Sequence, residues 1–296
     1  MTTLNSAITR VAFPIAAMFA VACGSAADPP GTSNGETATV GSSSQSTSGR
    51  AASAPSAAEA ADGSAGYRGP SVGAADGFAV LAERAIAALD PSQVTGNLGV
   101  SGAPVQNITG FDQVQVLKFG TDSSAPNSMR TILTQGQVDA LVDDIDVRAC
   151  NADDVSLERD AAAELTIRPG VTCMRGSGND VTLGGRIVLD AGGDPNAFFV
   201  IRADSKLNVN EATQLVLVNG AQSCGVFWRV GQQVTIGKGV EFFGTVVADT
   251  GISIGSGSKL VGRALARTDA VILDGSSITL PVYSDLVSAA TCTHVQ

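Results

Sequence analysis

From Leu165 onward the chain alternates apolar and polar residues in short runs separated by glycines. A period of two marks a strand that buries one side. The runs also recur. Gly237 to Ile254 (GKGVEFFGTVVADTGISI) and Gly255 to Leu273 (GSGSKLVGRALARTDAVIL) align end to end. Each has a Gly-x-Gly opening, a strand, Gly244 or Gly262, a second strand, and a third ending in Ile-Ser-Ile or Val-Ile-Leu. Lys206-Leu-Asn-Val209 and Gln233-Val-Thr-Ile236 repeat that ending in two earlier units. Three short strands per repeat with glycine corners predict a β-solenoid, in which each coil covers the hydrophobic face of the next. On one face Val181, Leu183, Leu207, Val209, Val234, Ile236, Ile252 and Ile254 point inward. Thr182, Asn208, Thr235 and Ser253 then point outward between them, and Ile272 takes that place in the next coil.

A second strand set is apolar on both sides: Phe198-Phe-Val-Ile201, Val226-Phe-Trp228, Thr245-Val-Val-Ala248 and Arg263-Ala-Leu-Ala266. Such strands must be covered. One segment can cover them. Thr134-x-x-Gln137 has capping-box spacing, and Val138, Leu141, Val142 and Ile145 follow at helical intervals with Asp139, Asp143 and Asp144 facing away. That predicts a helix over about 134–148, apolar on one side and laid on the sheet. Trp228 is accordingly read as a packing residue.

The N-terminal part has another character. Val11 to Ala22 is apolar, the length of a signal-peptide core and too short to span a bilayer. Residues 1–22 are read as a signal. Ala20-Val21-Ala22 before Cys23 resembles the lipobox of bacterial lipoproteins, with Ala20 where that motif usually has Leu. The resemblance implies lipidation of Cys23 and an outer-membrane or cell-surface lipoprotein; a plain signal implies secretion. Either way the chain is exported. Residues 23–70 are rich in Ser, Gly, Ala and Thr with almost no large apolar side chain, which predicts a flexible tether. The folded domain is expected over 71–296.

Charge and composition narrow the function. Eighteen Lys and Arg against 28 Asp and Glu leave a formal charge of −10. Binding to nucleic acid or to anionic lipid through basic patches is thereby excluded, so membrane contact is expected only through the lipid anchor. The sole histidine, His294, lies at the extreme end. Without Cys23, Cys150, Cys173, Cys224 and Cys292 remain, an even number that suits two disulfides in an exported chain, with three connectivities open. No pair has C-x-x-C spacing, so no metal site is expected. The acids Asp153, Asp154, Asp190 and Asp194 are the candidates for an enzyme reading, such as a polysaccharide lyase, and each has a turn or surface explanation.

Eight segments in order then carry a resemblance covering nearly all of 71–296: Phe78-Ala-Val-Leu-Ala82, Thr95-Gly-Asn-Leu-Gly-Val100, Thr109-Gly-Phe111, Leu189-Asp-Ala191, Gly193-Asp-Pro-Asn-Ala197, Asn219-Gly-Ala-Gln222, Val226-Phe-Trp228 and Gly262-Arg-Ala-Leu-Ala-Arg267. They resemble the bacterial and fungal ice-binding protein family. The resemblance implies a mainly β fold, a right-handed discontinuous β-solenoid of triangular section with one long α-helix along a face, its N-terminal segment returning to complete it. It implies a monomer that binds ice, with no cofactor and no catalysis.

Ice adsorption asks for a flat, rigid face with small hydroxyl-bearing side chains repeating at the strand spacing of about 4.7 Å. The expected ice contacts are Thr182, Asn208, Thr235 and Ser253, with Thr213, Ser256 and Ser258 at the adjoining corner. Related proteins often carry Thr-(Ala/Gly)-x-(Thr/Asn) at coil openings; here those tetrads read Glu211-Ala-Thr-Gln214, Lys238-Gly-Val-Glu241 and Ser256-Gly-Ser-Lys259. Lys238, Glu241 and Lys259 are expected to disturb the corner, and Ile272 breaks the column. A structural or adhesive surface module without ice activity is the alternative on the same scaffold.

Overall fold

The computed structural model describes residues 69–111, 116–151, 155–156, 164–176, 179–283 and 292–293. Residues 1–68, with the signal, Cys23 and nearly all of the tether, lie outside it, as do Asp153, Asp154 and His294. Within it the strands form three parallel sheets and one antiparallel ribbon, Val282–Tyr283 with Cys292–Thr293. The seven-stranded sheet stacks Val181–Leu183, Leu207–Val209, Val234–Ile236, Ile252–Ile254, Val271–Asp274, Ile86–Asp90 and Ile108–Thr109 in that order. A three-stranded sheet holds Leu165–Ile167, Arg186–Asp190 and Gln214–Val218. The eleven-stranded sheet forms the wall under the helix and bends round a corner to continue the third wall. Glu241–Ala248 and Lys259–Ala266 make that bend at Gly244 and Gly262. A Cβ on Gly262 would collide with the Gly244 carbonyl, so the repeat's glycines are there because stacked corners bring backbone against backbone.

The solenoid is discontinuous. Phe78–Ala82 pairs with Lys259–Ala266, Ile86–Asp90 with Val271–Asp274, and Gln93–Thr95 with Ser277–Thr279. The first strands in the chain therefore cover the last coil. The chain must then travel back along the stack to begin the coils after Leu165. The helix, Ala125–Asp146, makes that journey. Its 22 residues span about 33 Å at 1.5 Å each. The strand path from Lys118–Phe119 to Val155–Ser156 has a width of roughly 38 Å at about 4.8 Å per step.

The double-apolar strands divide their side chains as alternation requires. Val226, Trp228 and Val230 enter the solenoid core, while Phe227 faces the helix. Trp228 is fully buried, and its indole N–H donates to the Phe243 carbonyl at 2.9 Å. Val138, Leu141, Val142 and Ile145 close the second layer against Phe78, Val200, Phe227, Val247 and Leu265. The helix starts earlier than its capping-box spacing predicts. Ser124 precedes it and Pro126 occupies the first turn, where a missing N–H breaks no bond. Thr134 lies mid-helix and fully buried, its hydroxyl donating to the Arg130 carbonyl at 2.7 Å, so it caps nothing.

Ion pairs brace one edge of the helix. Arg229 reaches Asp146 and Asp249 at 3.2 and 3.0 Å, and Arg267 reaches Asp139 and Asp249 at 2.9 and 2.6 Å. Burial of Arg267 disfavours its charge, but the hydrogen bonds to Asp249 and Asp139 outweigh that and raise its pKa. Just beyond the helix, Cys150 is bonded to Cys173 on Gly170–Arg175. Cys224 is also disulfide-bonded, and Cys292–Thr293 runs beside its turn, Ser223–Gly225. Among the described residues no helix is long and apolar enough to cross a membrane.

Candidate functional site

The seven-stranded wall carries the outward column that the sequence predicts. Thr182 lies opposite Asn208, Asn208 opposite Thr235, and Thr235 opposite Ser253. Each stands between two buried aliphatic residues, such as Val234 and Ile236 around Thr235, so alternation holds it on the outer surface. The column does not stop there. It runs on through Ile272, Ala87 and Thr109. Ala87 and Thr109 come from the returning N-terminal segment, where no repeat marks them. No local signal in the sequence places them there, since their partners are far away along the chain. All seven positions are uncharged, and strand geometry sets them about 4.8 Å apart. Ile272 is 37% exposed and adds methyl groups rather than a charge.

Two residues earlier in each strand runs a parallel row. The ladder continues through the bonds from Leu207 N–H to Gln233, Val234 N–H to Gly251, Ile252 N–H to Ala270 and Val271 N–H to Ala85 carbonyls. Asp180 and Lys206 charge one end of this row; Gln233, Gly251, Ala270 and Ala85 leave the rest neutral. The Asp180 carboxylate accepts from the Ser205 hydroxyl at 2.6 Å and the Lys206 N–H at 3.3 Å. The Ser205 bond first, then the Lys206 bond, hold its pKa below the usual carboxylate range.

The corner differs from expectation. Thr213 and Ser258 are buried, not presented to solvent. The Thr213 hydroxyl donates to the Leu183 carbonyl at 2.9 Å. The Ser258 hydroxyl donates to the Gly237 carbonyl at 2.6 Å and accepts the Val240 N–H at 3.2 Å. The Leu183 carbonyl also accepts the Asn210 N–H at 2.9 Å, so the Thr213 hydroxyl adds a second bond there, while the Ser258 hydroxyl ties two corner backbone groups together. Ser256 is half-buried. Glu241 and Lys259 face each other in register at the start of the third wall, away from the column. Lys238 is exposed at the corner itself.

Asp190 and Asp194 hold turns. Asp190 accepts from Asn219 Nδ2 at 2.7 Å and Gly192 N–H at 2.9 Å, in that order of effect lowering its pKa, and Asp194 accepts the Asn196 N–H at 2.8 Å. Among the described residues no cluster of three or more His, Cys, Asp or Glu is placed to hold a metal ion.

Comparison with known proteins bears on the family of the chain. The family model described as ice-binding-like matches residues 80–279. A protein of Nostoc sp. (strain HG1) named ice-binding protein is 32% identical over 197 residues, covering 66% of this chain and 68% of its own. One from Flavobacterium frigoris (strain PS1), of the same name, is 26% identical over 201 residues, covering 64% and 68%. Among solved structures, an ice-binding protein from an Antarctic biological consortium matches with a TM-score of 0.63 and 28% identity, over 72% of this chain and 92% of that one. A domain of ice-binding protein 1 from Shewanella frigidimarina matches with a TM-score of 0.63 and 26% identity, over 73% of this chain and 98% of that one.

Proposed function

The chain belongs to the ice-binding-like family, and from that premise we propose that it adsorbs to ice through the seven-stranded wall. One observation carries this reading: an uninterrupted, uncharged column of seven in-register positions, Thr182, Asn208, Thr235, Ser253, Ile272, Ala87 and Thr109, on a wall that nothing among the described residues covers. The physical route is ordering of water. Hydroxyl and amide groups fix water at regular intervals, and methyl groups between them favour cage-like shells. A rigid sheet keeps that layer in place, so it can merge with a crystal plane without reordering. Ion pairs and long hydrated side chains would break the layer, and they lie at its margin or on other walls. Adsorption of this kind forms and breaks no covalent bond and needs no second copy of the chain.

Export fits the same reading. A chain that meets ice does so outside the cytoplasm, and the apolar run before Cys23 supplies an export signal. In this proposal Cys23 carries a lipid, and the Ser- and Gly-rich segment holds the ice-binding domain away from the membrane. The functional test is thermal hysteresis, with ice-crystal shaping beside it. The unsubstituted chain is expected to show both. Thr235→Tyr, which puts a ring into the column, is expected to reduce hysteresis several-fold. A chain that neither shapes ice nor inhibits recrystallisation would return the scaffold to an adhesive or structural role.

A further inference from the structure

The outward column of the seven-stranded wall has a flanking row on each side, two residues earlier or two residues later in each strand. Earlier by two, Asp180 and Lys206 precede Thr182 and Asn208, whereas Gly251, Ala270 and Ala85 precede Ser253, Ile272 and Ala87. Later by two, the order reverses. Gly184, Asn210, Gly237 and Gly255 follow Thr182, Asn208, Thr235 and Ser253, whereas Asp274 follows Ile272 and lies in register with Asp90. Charge therefore sits at two diagonally opposite corners of the wall, and the remaining positions of both rows carry none. The Asp90–Asp274 corner is uneven as well. Pairing of Ile86–Asp90 with Val271–Asp274 shifts register between Ala88 and Asp90, and Leu89 at that shift is 70% exposed. Like charges set directly opposite each other weaken a sheet, so the acid pair adds nothing to the fold. At the other corner Lys206 is exposed, and its backbone N–H holds the Asp180 carboxylate in place.

We propose that the ice contact is an oblique band across this wall, from Asn210 through Thr235 and Ser253 to Ala270 and Ala85, and that the two charged corners set its edges. This outline rests on the ice-binding reading and deepens it. A carboxylate or an ammonium holds its own water strongly, and stripping or reordering that water is costly. An ice-like layer therefore stops where Lys206 or Asp274 begins. Gly237, Gly251 and Gly255 have no side chain to interrupt it, and Asn210 extends it with an amide. From the Leu207–Val209 strand to the Ile86–Asp90 strand is four steps in the sheet, about 19 Å at 4.8 Å each. Over the same distance the neutral ground moves from the later row to the earlier one, about 13 Å at 3.3 Å per residue. The band consequently runs at roughly 35° to the stacking direction. Column and band share Thr235 and Ser253 and part toward their ends.

Thermal hysteresis of singly substituted proteins tests this, with Thr235→Tyr as the reference that reports on the wall itself. Ala85→Lys and Asn210→Lys each carry a charge into one end of the band without touching the column. Each is expected to lower hysteresis several-fold with an unchanged circular dichroism spectrum. Ala270→Lys is the second variant at its end, should Ala85→Lys disturb the fold. Lys206→Thr and Asp274→Thr move the edges outward, and each is expected to raise hysteresis. Full hysteresis in Ala270→Lys and Asn210→Lys, together with loss in Thr235→Tyr, would confine the contact to the column and overturn the band. Loss of hysteresis in folded Lys206→Thr or Asp274→Thr would overturn it too, because the corners would then belong to the contact. Full hysteresis in Thr235→Tyr, or none in the unsubstituted chain, would instead refute the ice-binding reading of this wall, and the band with it.

Discussion

At Thr235 the backbone leaves the side chain no choice: Val234 and Ile236 are buried, so its hydroxyl and methyl stand outward in register with Asn208 and Ser253. A serine twenty-odd residues further on meets the opposite fate. Ser258 looks equally suitable by composition, yet its hydroxyl serves the Gly237 carbonyl and the Val240 N–H inside the corner. Ser258→Ala should lower stability by about 1–3 kcal/mol, the usual result of orphaning buried polar groups, with specific ice activity unchanged in the molecules that stay folded. Chemical denaturation beside hysteresis checks both halves. The charges of the third wall give the complementary case. Glu241 and Lys259 pair across strands away from the column, so Glu241→Thr with Lys259→Thr should leave hysteresis where it was. A rise on that double substitution would mean that ice reaches the corner. The outward column was legible in the sequence because a period of two in one coil and identical endings in successive coils fix both side and register. Corner hydroxyls were not, since Thr213 and Ser258 stand between a turn and the strand that follows, where no alternation orients a side chain.

The helix shows the same limit at the level of elements. Its inner face was readable, because four aliphatic residues at helical spacing match a set of strands that need cover. Its start was not. Thr131 and Thr134 return their hydroxyls to the Ser128 and Arg130 carbonyls and pass as interior residues, so a polar-looking stretch continues the helix toward Ala125. What holds the helix down is testable. The Cys150–Cys173 bridge closes a loop of 23 residues between the helix end and the sheet. Replacing both cysteines by Ala should cost about 3 kcal/mol on chain-entropy grounds, read as a fall in melting temperature. An unchanged melting temperature would show that the Arg229 and Arg267 ion pairs and the buried layer suffice. The reach of the ice-facing wall was equally hidden at this scale. The Ala87 strand pairs with Val271–Asp274 across a large sequence separation and the Thr109 strand pairs with the Ala87 strand, and no local period announces that.

At the scale of the whole solenoid, the described chain lays its first strands on the last coil, runs back as a helix and climbs again in coils, so the last coil is covered by the chain's own residues. The result is three walls with three fates: one under the helix, one charged, one flat and neutral. The export reading belongs to this scale as well. If Cys23 is the anchor, Cys23→Ala should move the protein from the membrane fraction to the soluble one, and retention of the variant in the membrane would refute the lipid anchor. The central claim concerns the neutral wall alone. It is tested most directly by slow freezing of a dilute solution and measurement of protein partitioned into the ice. The unsubstituted chain and Thr279→Tyr, whose ring would stand exposed on the charged third wall, are predicted to enter the ice fraction together. Thr235→Tyr is predicted to stay in the liquid with its fold intact by circular dichroism. Entry of Thr235→Tyr into the ice, or exclusion of Thr279→Tyr, would contradict the account and place the ice contact on another wall.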